Sequence, residues 1–214
     1  MVAFDVNDVN VEEINRILVQ EHEARLIDER FHQEKEAEWK EMIEDFKAYY
    51  TKQGFPVYEN PSPGNKAGGI TTLEDKSCGC VQKGGSAPIV DVIGYGEPVT
   101  TQGLNMLYGP GNDLVSATAL TAAGAHLILF TTGRGTPFST FVPTMKISTN
   151  TTLATKKHNW VDFNAGLVAD GAKTLEESAE DLLKLVLETA SGKQTKTEEK
   201  GFREISIFKD GVVL

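Results

Sequence analysis

From residue 87 onward, short apolar runs alternate with stretches of helical character, and this alternation restricts the fold more than any other feature of the chain. Runs at 89–93, 104–108, 126–130 and 144–148 have the length and composition of buried strands. Between them lies an Ala-rich stretch reaching residue 123 and stopped by Gly124. A short helical stretch follows at 150–157, capped by Asn150 or Thr149. The 175–190 segment is the clearest helix. Thr174 and Glu177 form a capping box, Gly192 follows its end, and Leu175, Ala179, Leu182, Leu183, Val186 and Ala190 make its apolar face. A last strand is expected at 203–208. The pattern predicts a Rossmann-like α/β fold, a mostly parallel sheet covered by helices.

Ahead of it, residues 11–50 read as an N-terminal helical arm. Asn10 and Glu13 resemble a capping box, and Ile14, Ile17, Leu18, Ala24, Ile27 and Phe31 share a face that Trp39, Met42, Ile43, Phe46 and Tyr50 continue. About 40 residues is long for a globular helix, so a break near 32–38 or packing on a partner is expected. After 54–56 comes a stretch, 60–69, with two prolines and three glycines. That composition excludes helix and strand interior, leaving a loop with polar Asn60, Ser62, Asn65 and Lys66. It is a site loop or a linker, and a helix is expected at 71–82. The implied organisation is an acidic arm at 1–52, a loop and helix at 53–86, and an α/β domain at 87–214, with 53–214 forming one unit.

The formal net charge of −10 is uneven: residues 1–50 hold 14 acidic and 6 basic side chains. No basic footprint for nucleic acid is present. No apolar run reaches the roughly 18 residues that a membrane span needs, and the N-terminus lacks a secretory pattern. Cys78 and Cys80 are too close for an ordinary disulfide and lack the second pair of a zinc site. These features fit a cytoplasmic protein with reduced thiols.

Chemistry concentrates in the loop at 131–137, Thr-Thr-Gly-Arg-Gly-Thr-Pro. Gly133 and Gly135 permit a tight turn, and Arg134 offers a planar fork matched to carboxylate or phosphate. Thr132 and Thr136 add hydroxyls. Two further loops, 109–113 and 148–150, should lie on the same sheet edge, where open α/β sheets bind ligands. Asn112 can cap the following helix or contact a ligand, and Asp113 could hold a cation. The 109–113 loop matches neither a P-loop nor a dinucleotide fingerprint, so a nucleotide cofactor is unsupported. His126 and His158 read as structural, His22 and His32 as surface residues. These patterns alone reach an anion-binding α/β domain.

Several motifs add more. YENPSPGNKAGGITTLEDKS at 58–77, GPGND at 109–113, FTTGRGTP at 130–137, WVDFNAG at 160–166 and FREISIFKDG at 202–211 resemble the altronate/galactarate dehydratase family, nearer its altronate branch. The resemblance spans roughly residues 42–214. It implies a hydro-lyase that converts altronate to 2-dehydro-3-deoxygluconate and water with iron(II) or manganese(II), the metal ligands being unknown. Galactarate dehydration and a non-catalytic assembly domain are the alternatives. Under this resemblance Arg134 clamps the substrate carboxylate and Lys66 acts as acid, base or charge stabiliser. Ser62, Asn65, Asn112, Asp113, Thr132, Gly133, Gly135 and Thr136 line the substrate. Full-length members carry a small N-terminal domain and a central region not found in this sequence. The expected partners are therefore a sugar-acid substrate and that missing part, with a homo-oligomer compatible, and the isolated chain is expected to be inactive.

Overall fold

The computed structural model describes residues 2–4, 29–55, 61, 63–72, 76, 85–109 and 112–209. They fall into two compact units, residues 1–123 with 207–214, and 124–206.

The first unit holds a three-stranded sheet of β1 (Val2–Phe4), β2 (Ile89–Ile93) and β3 (Leu104–Tyr108), in the order β1-β3-β2 and all parallel. Helices cover both faces, so the sheet's strands are mostly apolar, with Asp91 in β2 and Asn105 in β3 as the polar exceptions. Alternation sends Val92 and Met106 one way, where they pack with Ile43 and Phe46 of α1 (Glu29–Lys52). Ile93 and Leu107 point the other way, onto Ala119 of α3 (Asp113–Ala122) and Ala123 beyond its end. The Phe46 ring meets Tyr49, Tyr50, Tyr108 and Phe208, an aromatic cluster that anchors α1. Burial lifts the Tyr108 phenol to about 12, with the Asp45 carboxylate adding to the effect.

The helix α1 runs unbroken through 32–38, so of the two expectations, a break there or packing on a partner, the break does not occur. Its C-terminal half presents Met42, Ile43, Phe46 and Tyr50 to the sheet as the periodicity requires, and that packing replaces the partner. The arm's earlier residues lie outside the described set, as do Cys78, Cys80 and nearly all of the helix expected at 71–82. The 60–69 stretch contains a short helix, α2 (Pro63–Ala67), against expectation. Proline is compatible with the first helical position, where its missing N–H would have no partner anyway.

The second unit has its own parallel sheet, β4 (Ile128–Thr132), β5 (Thr144–Ser148) and β6 (Phe163–Asn164), in that order. Two small sheets thus stand where one was expected. Strand β4 sits two residues later than its apolar run suggested, because Thr131 and Thr132 pair with Ile147 and Ser148. After β5 come α4 (Thr151–Lys156), then β6, α5 (Gly166–Ala169) and α6 (Leu175–Ala190). The capping box of α6 forms as read: Glu177 N–H donates to Thr174 Oγ1 and Thr174 N–H to Glu177 Oε2.

Two expectations fail here. Helix α6 does not bury the face read as apolar. Ser178 and Thr189 are its buried residues, while Leu175 is 68%, Leu183 59% and Leu187 58% exposed. Small side chains allow the closer approach, and Thr189 Oγ1 satisfies itself on Leu185 O. The 203–208 segment joins no sheet. Its anchor in this unit is Glu204, whose N–H donates to Ser139 O at 2.8 Å and whose carboxylate accepts from Ser139 N–H at 2.8 Å.

Candidate functional site

The 131–137 loop leaves the carboxyl end of β4 and closes on itself. Gly135 N–H donates to Thr132 Oγ1 at 2.8 Å, so one threonine hydroxyl shapes the turn that carries Arg134. Gly135 has φ +92°, and a Cβ there would stand 2.2 Å from the outer edge of the Trp160 indole. Glycine is required twice over: for the left-handed backbone and for the contact. Trp160 is buried with Leu153 and Val161, which gives the loop a rigid floor.

The neighbouring strand end completes the support. Thr149 N–H donates to Thr132 O at 3.0 Å. Asn150 does two jobs with one amide. Its Oδ1 accepts from Leu153 N–H at 2.8 Å, capping α4, and its Nδ2 donates to Gly133 O at 2.9 Å. Cap propensity makes the first role visible in the sequence. The second joins residues 17 positions apart and has no local signature. Behind Asn150 sits Gly166 of the WVDFNAG motif, where a Cβ would lie 2.4 Å from Thr151 N and 2.5 Å from the Asn150 carbonyl carbon. Asn164 braces the same turn, donating to Thr151 Oγ1 at 3.1 Å and accepting from Gly166 N–H at 3.0 Å.

Arg134 is exposed at the tip of this braced loop and forms no ion pair among the described residues. An arginine held at one end by a fixed backbone, with its fork in solvent, can grip a carboxylate at low ordering cost. Thr136 is half-buried and Thr131 exposed. Deeper in the unit, burial pushes the Asp162 carboxyl up, although backbone N–H groups of Lys196 and Lys146 and both lysine charges pull it down. Its Oδ1 accepts from Lys196 N–H at 2.8 Å and its Oδ2 from Lys146 N–H at 2.7 Å, so Asp162 joins three segments of the unit.

The remaining sequence candidates belong to the first unit. Asn112 caps α3, with Oδ1 accepting from Val115 N–H at 3.1 Å. Asp113 opens that helix and is exposed. Lys66 is exposed in the last turn of α2, and Asn65 is half-buried beside it. Ser62 lies outside the described residues. Among the described residues no three His, Cys, Asp or Glu side chains cluster to hold a metal ion. No helix among them is long and apolar enough to cross a membrane.

The fold is that of a mixed α/β protein with small parallel sheets, and a braced, glycine-flanked arginine stands at the carboxyl end of one of its strands. Comparison with known proteins is more specific. Residues 8–213 match the family model described as "D-galactarate/Altronate dehydratase, C-terminal". The chain belongs to that family. It is 56% identical over 173 residues to the altronate dehydratase of Escherichia coli (strain K12), and 55% identical over 174 residues to that of Bacillus subtilis (strain 168). Each match covers 81% of this chain and 35% of the relative. The galactarate dehydratase (L-threo-forming) of Escherichia coli (strain K12) is 38% identical over 157 residues, covering 72% of this chain and 30% of that enzyme. The chain therefore spans about a third of the length of the relatives it matches.

Proposed function

We propose that this chain is the C-terminal, substrate-gripping part of a cytoplasmic sugar-acid dehydratase that acts on altronate. The observation that carries this reading is the 56% identity to an altronate dehydratase, well above the 38% to a galactarate dehydratase. The site chemistry agrees with it. Dehydration breaks the C2–H bond and the C3–OH bond of altronate. The resulting enol ketonises to 2-dehydro-3-deoxygluconate, and the C3 oxygen leaves as water. Removing a proton next to a carboxylate loads more charge onto an already negative group, so a fixed cation at that carboxylate lowers the barrier. Arg134 takes that role, and its bidentate fork also orients C2.

Thr136, in the same loop as Arg134, receives a substrate hydroxyl. Ligand placement at the carboxyl ends of parallel strands is the Rossmann-like element of this reading. The iron(II) or manganese(II) of the family belongs to the reading as a cofactor held outside the described residues. Activity then requires the part of the enzyme that the relatives possess beyond this span.

The test is formation of 2-dehydro-3-deoxygluconate from altronate, with iron(II) or manganese(II), by this chain alone and by this chain fused to the remaining two-thirds of an altronate dehydratase. Turnover by the fusion, and none by the chain alone, is expected. A fusion that leaves altronate untouched, or prefers galactarate, rules out the altronate assignment.

A further inference from the structure

Lys146 occupies the centre of β5, the middle strand of the second sheet, and is 0% exposed. Its ammonium lies 3.4 Å from the centre of the Phe138 ring and 4.2 Å from that of Phe130. Those two rings meet edge to face, 4.9 Å apart, forming an aromatic seat for the charge. Phe130 is the register partner of Lys146, and Thr132 is the register partner of Ser148. Strand alternation therefore puts Lys146 on the same sheet face as Thr132 and Ser148, one pair behind the carboxyl edge, about 7 Å along the strand. Phe138 follows directly on the Arg134 loop.

A charged group at the middle of a sheet is expensive, and a methionine of similar length would sit there at lower cost. A charge in a dry interior acts over longer distances than one in solvent. We infer that Lys146 is a positioning residue of the anion site. Its buried ammonium, seated on Phe130 and Phe138 and charge-coupled to the Asp162 carboxylate, holds the stem of the Arg134 loop from beneath, so that Arg134 meets a sugar-acid carboxylate in a fixed geometry. This rests on the proposed function for the identity of the anion.

The experiment compares altronate binding by the wild-type chain, Lys146→Met and Lys146→Arg, read from backbone amide shifts of Gly133 and Gly135. Thermal unfolding is measured on the same samples. The expected result is that Lys146→Met melts at or above the wild-type temperature yet binds altronate about tenfold more weakly, while Lys146→Arg stays within about threefold of wild type. A lysine kept only for packing gives the opposite pattern. Lys146→Met binding within twofold of wild type, or a Met variant that fails to fold, overturns the inference and leaves the proposed function standing. A wild-type chain that binds neither altronate nor galactarate overturns both.

Discussion

Gly166→Ala separates tertiary contact from local propensity, because the two predict opposite signs. Gly166 opens helix α5 with ordinary helical backbone. On propensity alone, alanine in a helix gains up to about 1 kcal/mol over glycine. The structure argues for a loss. The added Cβ would stand 2.4 Å from Thr151 N, 2.5 Å from Asn150 C and 2.6 Å from Asn150 Cα. Those are backbone atoms and cannot rotate away. Ordinary contact begins near 3.4 Å, so α5 and the Asn150 turn must part by about 1 Å. That movement strains Ala165 N–H on Ser148 O at 2.9 Å and the Asn164 bridge to Thr151 at 3.1 Å. Overpacking of this kind costs about 1–3 kcal/mol, and each weakened hydrogen bond roughly 1 kcal/mol. The expected net loss is about 2–4 kcal/mol after the propensity gain is subtracted.

The assay is urea unfolding followed by Trp160 fluorescence in a Trp39→Phe background, so that the second unit supplies the signal. Gly171→Ala is the control. Gly171 has φ +70° and nothing within 4 Å of an added Cβ, so only the left-handed backbone is penalised, by about 1 kcal/mol. A Gly166→Ala chain as stable as its parent, or a loss no larger than that of Gly171→Ala, would refute the close-approach reasoning.

Arg134→Lys in the complete enzyme should lower kcat/KM by about 2–4 kcal/mol while unfolding is unchanged, since lysine keeps the charge but loses the bidentate fork; near-normal steady-state kinetics would remove Arg134 from the mechanism. Asp162→Asn should cost about 1–3 kcal/mol in urea unfolding, because both Asp162 oxygens accept backbone N–H bonds and an amide offers one acceptor. For Tyr108 the folded phenol ionises near 12 against 10 unfolded, so its contribution to stability is full below pH 10 and is lost as pH rises towards 12. Spectrophotometric titration should find a late phenolate that is missing in Tyr108→Phe, and a Tyr108→Phe chain that loses no late phenolate would contradict this. Thr174→Ala should destabilise the second unit by about 1 kcal/mol through loss of the capping box, measured by thermal unfolding.

What could be read from the sequence is whatever neighbouring residues decide among themselves. Strand periodicity placed β2, β3 and β5 to the residue, and cap chemistry located both ends of α6 and the starts of α3 and α4. The Arg134 loop was visible for the same reason. Glycine on both sides of an arginine after an apolar strand is a local statement about backbone freedom, and the φ of +92° at Gly135 answers to it. The motif resemblance carried the family, since five separated stretches agreed in order.

Partners distant in sequence decided the rest. β6 is two residues long and exists because Phe163 and Asn164 pair with Ile147 and Ser148. The orientation of α6 follows from the fit of Ser178 and Thr189 against the unit, which overrode the apolar stripe that carries Leu175 and Leu183. Glu204 reaches Ser139 across 65 residues and turns an expected strand into a single-point anchor. Asn150 becomes the clamp of the Arg134 loop only when β4 and β5 lie side by side. Lys146, a solvated residue by composition, becomes a buried cation because two phenylalanines close over it. Hydrogen bonds within a turn are encoded by the turn, whereas burial and close approach belong to the packing of segments brought together by the fold.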